Sequence, residues 1–244
     1  MTLRFRAFFV HLIGSLVVGL SILALVFGLW YPSPLHQALG VTSIFIMLLM
    51  VDMVLGPLLT LLVCKPGKQT LKFDLVVIVV LQLTALVYGL GAVFQGRPVW
   101  LVFNADRFDV VQAIDIDRRR INEALLQYQV PAWSGPQWVA AVYPDDIERR
   151  NEVLFEAAQG GSDIAQRPEL YRPLVESAEK MQHRAESLSS LSKYNDPAVV
   201  SGALAVWPQA TGWLPLMARS QSMVVLLSDG NTKVLAVVPL RPWL

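Results

Sequence analysis

The chain has 244 residues, of which 54% are hydrophobic, and a formal net charge of +1, a length that allows one large domain or two small ones. The apolar excess lies in the first 95 residues, which hold five basic side chains (Arg4, Arg6, Lys65, Lys68, Lys72) and two acids (Asp52, Asp74). Fifteen basic and seventeen acidic residues remain for a balanced second half, and without a basic excess no nucleic-acid partner is expected.

Residues 7–30 form the first long apolar run, with Arg4 and Arg6 just before it. The run exceeds the ~7 to 15 residues of a signal-peptide core and no small-x-small cleavage site follows, so a retained helix is expected. It ends at Trp30-Tyr31-Pro32, where amphipathic aromatics suit the headgroup layer and proline stops the helix. Residues 33–40, without Lys or Arg, read as a short turn. Residues 41–63 form a second span, and the turn over 64–72 carries three lysines. Residues 73–94 form a third span. Positive charge favours the cytoplasmic side, so the N-terminus and the lysine turn are expected inside and the 33–40 turn outside. A membrane domain over 1–96 is thus followed by an extracytoplasmic domain over 97–244, periplasmic in a bacterium with two membranes.

Asp52, near the middle of the second span, is the residue that most needs explaining. A carboxylate at mid-bilayer costs a contested ~2.5 to 3.5 kcal/mol on insertion scales, so it normally faces protein rather than lipid. Asp52 lies about eleven residues from the lysine end of its span, Gln82 about nine from the start of the third and Ser15 about eight from the start of the first. At a rise of ~1.5 Å per residue the three fall at similar depth. Either Ser15 and Gln82 hydrogen-bond Asp52 inside a three-helix bundle, or the acid faces a partner. Ser15-Leu16-Val17-Val18-Gly19 is also a small-xxx-small face that permits close helix approach.

Beyond Arg97 the pattern changes. Residues 98–103 and 108–113 read as strands joined by a turn at 104–107. A helix is expected over 117–128, a strand over 138–143, a helix over 145–159 ending at Gly160-Gly161, and a polar amphipathic helix over 174–191. Residues 195–215, punctuated by prolines, read as irregular. Strands are expected over 216–219, 223–228 and 232–240, with Asp229-Gly230-Asn231 as a hairpin turn. The expected architecture is three transmembrane α-helices followed by an α+β domain with a mainly antiparallel sheet.

The chemistry-bearing residues do not assemble into a catalytic motif. His11, His36 and His183 fall in a span, a turn and a polar helix, and Cys64 is the one cysteine, so no metal or cofactor is expected. There is no nucleophile elbow, phosphate-binding glycine loop or dinucleotide fingerprint. An intramembrane aspartyl protease needs two aspartates in one site, and Asp74 lies at the lysine-rich edge. Arg118-Arg119-Arg120 reads as a solvated helix face with local ion pairs. Asp106-Arg107-Phe108 reads either as a turn whose Phe108 enters the core or as a docking surface.

Several segments together resemble one family: Trp30-Tyr31-Pro32-x-Pro34, the stretch from Val51-Asp52 through Gly56-Pro57 to Thr60, Lys72-Phe73-Asp74-Leu75, Leu81-Gln82 with Tyr88-Gly89, and Arg97-Pro98-Val99 through Asp106-Arg107-Phe108. The chain is similar to type IV pilin accessory proteins of the kind named TfpX or TfpZ, in wording over the first 115 residues and in architecture beyond. The resemblance implies a non-enzymatic inner-membrane protein, with the lipid bilayer and the cognate major type IV pilin as partners, that acts as a chaperone before pilus assembly. Ser15, Asp52, Gln82, Asp106, Arg107 and Phe108 are then the candidate partner-binding or bundle-polar residues. The alternative is a membrane enzyme that modifies pilin, such as a glycan transferase.

Overall fold

A computed structural model describes residues 3–243. The chain divides into two compact units, one holding the residues up to Trp30 with Val41–Gly96, the other Tyr31–Gly40 with Arg97–Leu244.

The first unit is helical. α1 (Leu3–Leu25) closes in a π-helical turn over Val26–Trp30, and α3 (Val41–Val63) and α4 (Leu71–Gln95) complete the set, the single turn α2 (Leu35–Ala38) between α1 and α3 belonging to the second unit. The stretches Leu3–Trp30, Val41–Val63 and Leu71–Gln95 are long and apolar enough to cross a membrane, and a helix satisfies its own backbone there. α3 packs against both α1 and α4. Toward α1, Gly19 lets Leu49 and Met53 come close, and His11 Nδ1 shares a 2.6 Å hydrogen bond with Thr60 Oγ1. Arg4 Nε donates to the Cys64 carbonyl at 2.8 Å. Toward α4, Gly89 makes room for Leu48 and Gly56 for Gln82.

The second unit is built on a seven-stranded sheet of order β4-β3-β1-β2-β5-β6-β7. The strands are β1 (Pro98–Asn104), β2 (Arg107–Gln112), β3 (Gln137–Ala141), β4 (Tyr171–Pro173), β5 (Gly212–Met217), β6 (Met223–Ser228) and β7 (Lys233–Val238). β1 pairs in parallel with β3 and β2 with β5, and the other pairs are antiparallel, so the sheet is mixed and mostly antiparallel. β1 is buried along its whole length, as expected of a strand covered on both faces. Leu101 and Phe103 join one core cluster with Phe108, Leu214, Leu216 and Val225. Trp100 and Val102 join another with Val111, Val139, Tyr128 and Tyr171.

The segment expected to be a simple turn over 33–40 belongs to this sheet unit. Leu35 and Ala38 lie in the core beside Phe103 and Phe108. The Ala38 carbonyl accepts from the Ser220 and Gln221 amides, both at 3.0 Å. Gly40 follows with φ of +67°, where a Cβ would press on the Ser220 side chain. A stretch with two buried apolar residues and a doubly bonded carbonyl is a structural element of the domain, which its short length and proline content conceal.

The helix expected over 117–128 is absent. An Asp117 carboxylate oxygen accepts from the Arg119 amide at 3.0 Å while the Asp117 amide donates to the Gln166 carbonyl at 2.8 Å. This local alternative to helical bonding leaves a 3-10 turn (Ile121–Glu123) and the one-turn α5 (Leu126–Gln129). The helix expected over 145–159 is present as α6 (Ile147–Ala158), capped by Asp146 through the Arg149 amide. Only Ala178–Arg184, α7, is α-helical within 174–191, because Glu186 exchanges backbone hydrogen bonds with Trp213 at 2.9 and 3.0 Å. The region expected to be irregular holds α8 (Pro197–Val206), capped by Asp196, and most of β5. Pro215 is tolerated in a strand because β2 pairs with β5 only from Leu216 onward.

Arg118-Arg119-Arg120 is therefore not a helix face. Arg119 bonds Asp117 and Glu156, Arg167 bonds Glu156 at 2.6 Å, and Arg149 reaches Glu152 at 2.6 Å and Glu169 at 3.2 Å. Hydrogen bonding from Arg119 holds Asp117 well below the usual carboxylate range, and Arg167 and Arg119 lower Glu156. Burial raises Glu169 instead.

Leu35→Ala is expected to destabilise the sheet unit by about 2 to 5 kcal/mol, the range for emptying a buried aliphatic site, whereas Gln37→Ala, at an exposed position, stays within about 0.5 kcal/mol. Unfolding of the detergent-solubilised chain measures both. The depressed acids bind fewer protons folded than unfolded, so their stabilisation is present above the ordinary carboxylate range of about 3.9 to 4.3 and is lost as pH falls through it and below. Asp117→Asn is expected to flatten that acid limb in a melting profile against pH, while Glu169, with its raised value, opposes the trend in the parent.

Candidate functional site

Between α1 and α4, on one side of α3, lies a cavity of about 430 Å³. α1 and α4 meet at one end, where the rings of Trp30 and Phe94 stand 4.8 Å apart. The cavity occupies the stretch from Ala7 to Gly19 on α1 and from Leu75 to Leu86 on α4, with Leu49, Asp52, Met53 and Thr60 of α3 as its floor. Its wall is apolar apart from His11, Ser15, Asp52, Thr60 and Gln82.

The three polar residues expected at one depth thus line one cavity, but they are not bonded as the bundle reading expected. Gln82 Nε2 donates to the backbone carbonyl of Asp52 at 3.0 Å, not to its carboxylate. Pro57, which lacks an amide, removes the helical hydrogen bond to the neighbouring carbonyl, that of Met53. Among the described residues no donor reaches the Asp52 carboxylate or the buried Gln82 Oε1, and Ser15 makes no hydrogen bond. Ser15 and Gly19 of the small-xxx-small face both line the cavity, with Gly19 against Leu49 and Met53, and so does Gly14, where a Cβ would meet nothing within 4 Å.

The second candidate group lies in the sheet unit. Ala105, with φ of +58°, turns the β1–β2 hairpin, and the exposed Asp106 donates its amide to the Asn104 carbonyl at 2.7 Å. Phe108 is fully buried in the core, which removes it from any surface. Arg107 Nε pairs with Asp109 Oδ1 at 3.0 Å while Asn104 Nδ2 donates to Asp109 Oδ2, also at 3.0 Å. Burial raises the Asp109 carboxyl, with Arg107 and Asn104 pulling the other way. Two residues escaped the sequence reading, Asp109 and the His11–Thr60 pair's Thr60. The Arg107-x-Asp109 spacing, which puts opposite charges on one face of a strand, is the signal that finds the first. Among the described residues no group of three or more His, Cys, Asp or Glu could hold a metal ion.

Comparison with known proteins adds a family. A family model described as fimbrial assembly protein FimB matches residues 1–40. The fimbrial assembly protein of serogroup E1 from Dichelobacter nodosus is 30% identical over 238 residues, covering 94% of this chain and 92% of that protein. This chain belongs to the fimbrial assembly protein family. The serogroup I protein of the same organism is 31% identical over 182 residues, covering 74% of this chain and 70% of its own length. The protein of serogroups C1 and C2 is 32% identical over 109 residues, covering 44% of this chain and 83% of its own. No solved structure matches. The match over 1–40 takes in α1 and most of the Tyr31–Gly40 segment, so family likeness extends to one wall of the cavity.

A Cβ on Gly56 would collide with the Gln82 carboxamide and push it off the Asp52 carbonyl. Gly56→Ala and Gln82→Leu are each expected to cost about 0.5 to 1.5 kcal/mol, the net worth of one hydrogen bond. The double variant is expected to cost no more than either alone, because both remove the same bond. Reversible unfolding in detergent or bicelles measures the cycle, with Gly91→Ala, where a Cβ meets nothing within 4 Å, as the neutral control.

Proposed function

We propose that this chain is a non-enzymatic accessory protein of type IV pilus assembly that binds the cognate major pilin in the bacterial inner membrane and stabilises it before assembly. The observation that carries this reading is likeness along nearly the whole chain to a protein named for fimbrial assembly. The layout supports it. Three helices able to cross a membrane stand beside a cavity open along most of its length, and a sheet domain follows that could meet the globular part of a membrane-held subunit.

Packing supports the orientation independently of charge. Tyr31–Gly40 and Arg97–Leu244 fold into one unit although two spans separate them in sequence, so both lie on one side of the bilayer. Arg4, Arg6 and the lysines at 65, 68 and 72 flank the opposite ends of the same spans. The excess of positive charge at those ends supports a cytoplasmic side for them and, with it, a periplasmic sheet domain.

Deleting the gene from its host is expected to lower pilin abundance and surface piliation, with recovery only from a copy matched to the pilin type. Immunoblots of whole cells and of sheared surface pili measure this, and unchanged amounts of both would sink the reading. The intact mass of residual pilin is expected to equal that of the parent strain; a loss of mass would point to a modifying enzyme instead.

A further inference from the structure

We propose that the cavity between α1 and α4 seats a single transmembrane helix of a partner protein that carries a hydrogen-bond donor at the depth of Asp52. The cavity is about 430 Å³, which takes side chains from one face of a helix about 10–12 Å across rather than its whole girth. One of the cavity's polar groups stands out. Gln82 Nε2 bonds the Asp52 carbonyl and His11 bonds Thr60, while the Asp52 carboxylate lines the cavity and, among the described residues, no donor reaches it. The group that complements a carboxylate is a donor: a hydroxyl, a carboxamide, an amine or a guanidinium.

An acyl chain fills apolar space but leaves the Asp52 carboxylate unmet, which in hydrocarbon is costly. A helix meets its own backbone needs and can bring one side chain to the acid. Its approach is prepared at Gly14, where no neighbour occupies the space a side chain would take, next to Ser15; small residues of this kind let helix backbones come close in membranes. The contact between Trp30 and Phe94 lies beyond the lined stretch, so a helix would be received along residues 7–19 of α1 and 75–86 of α4.

The proposal rests on the reading that this chain holds a fimbrial subunit in the membrane, and the test separates the two. The full-length chain is made with p-benzoylphenylalanine at a cavity position (Val18→p-benzoylphenylalanine or Leu83→p-benzoylphenylalanine) or at the exposed α3 residue Met47, outside the cavity. It is co-expressed with the host's major pilin and irradiated in membranes. Pilin adducts are expected from Val18 and Leu83 and not from Met47, with the joined residue within a helical turn of a donor side chain. Asp52→Leu is expected to lower adduct yield about three- to thirtyfold, as losing an interhelical hydrogen bond in a membrane would, while chain abundance is unchanged. Because leucine removes the charge of a half-buried side chain and keeps the position apolar and helix-compatible, retained abundance separates lost recognition from lost folding. If the cavity positions join instead to a different single-span protein with an Asp52-dependent donor at that depth, the cavity assignment stands and the pilin reading falls. If they join to lipid, to a second copy of this chain or to nothing, or if adduct yield ignores Asp52, the cavity assignment is overturned, and the deletion phenotype still decides the proposed function.

Discussion

Gly56 carries no side chain, and the carboxamide of Gln82 takes up the space that one would fill. From this packing it donates to the carbonyl of Asp52, beside the break that Pro57 makes in the ladder of α3. Most of the membrane unit's polar arrangement depends on this one placement. It sets the register of α4 against α3, consumes the donor that would otherwise reach the Asp52 carboxylate, and leaves the acid on the floor of the cavity. The trade follows from the bilayer as a solvent. With no water to bond it there, the carboxamide takes the backbone carbonyl as its acceptor, and the carboxylate of the same residue goes without that bond.

The membrane half was legible because length and hydropathy suffice to define a span. The expected helices over 7–30, 41–63 and 73–94 fall within Leu3–Trp30, Val41–Val63 and Leu71–Gln95. Depth was legible too, since rise per residue converts sequence separation into height, and Ser15, Asp52 and Gln82 line one cavity. Rotation about each helix axis was not. Sequence alone did not say that Gly19 would meet Leu49 and Met53 while Gly14 met nothing, nor that Gln82 would choose a carbonyl over a carboxylate. His11 was set aside because three histidines do not converge, although its partner across the helix pair is a hydroxyl, Thr60.

In the sheet domain the errors share a cause: tertiary contacts overrode local pattern. The periodicity of Ile121, Leu125 and Tyr128 suggested a helix, yet Leu125 is exposed while Tyr128 packs against Trp100 and Tyr171, so no common face exists. Proline made 195–215 look irregular, whereas Pro197 opens α8 from the position where a missing amide costs nothing. The Tyr31–Gly40 segment was hardest to read. Its contribution is the buried side chains of Tyr31, Leu35 and Ala38 and one carbonyl, supplied to a unit whose strands begin more than fifty residues later, and nothing local marks it as core.

A closed three-helix bundle would bury its polar residues against one another and present only hydrocarbon to the bilayer. Such a bundle distinguishes poorly between a partner helix and a lipid, because lipid tails are as apolar as leucine and association in a membrane lacks a hydrophobic drive. Selectivity then has to come from close packing and hydrogen bonding. In this chain α1 and α4 are joined at the Trp30–Phe94 end and stand apart along the cavity, with an acid on the floor and a glycine uncovered on the wall. The stability given up by leaving Asp52 without a donor is the free energy that a correct partner recovers on entry, and a helix without a donor at that depth recovers none of it. On this account the acid that makes the second span look unfit for a membrane is what allows the chain to tell one apolar helix from another.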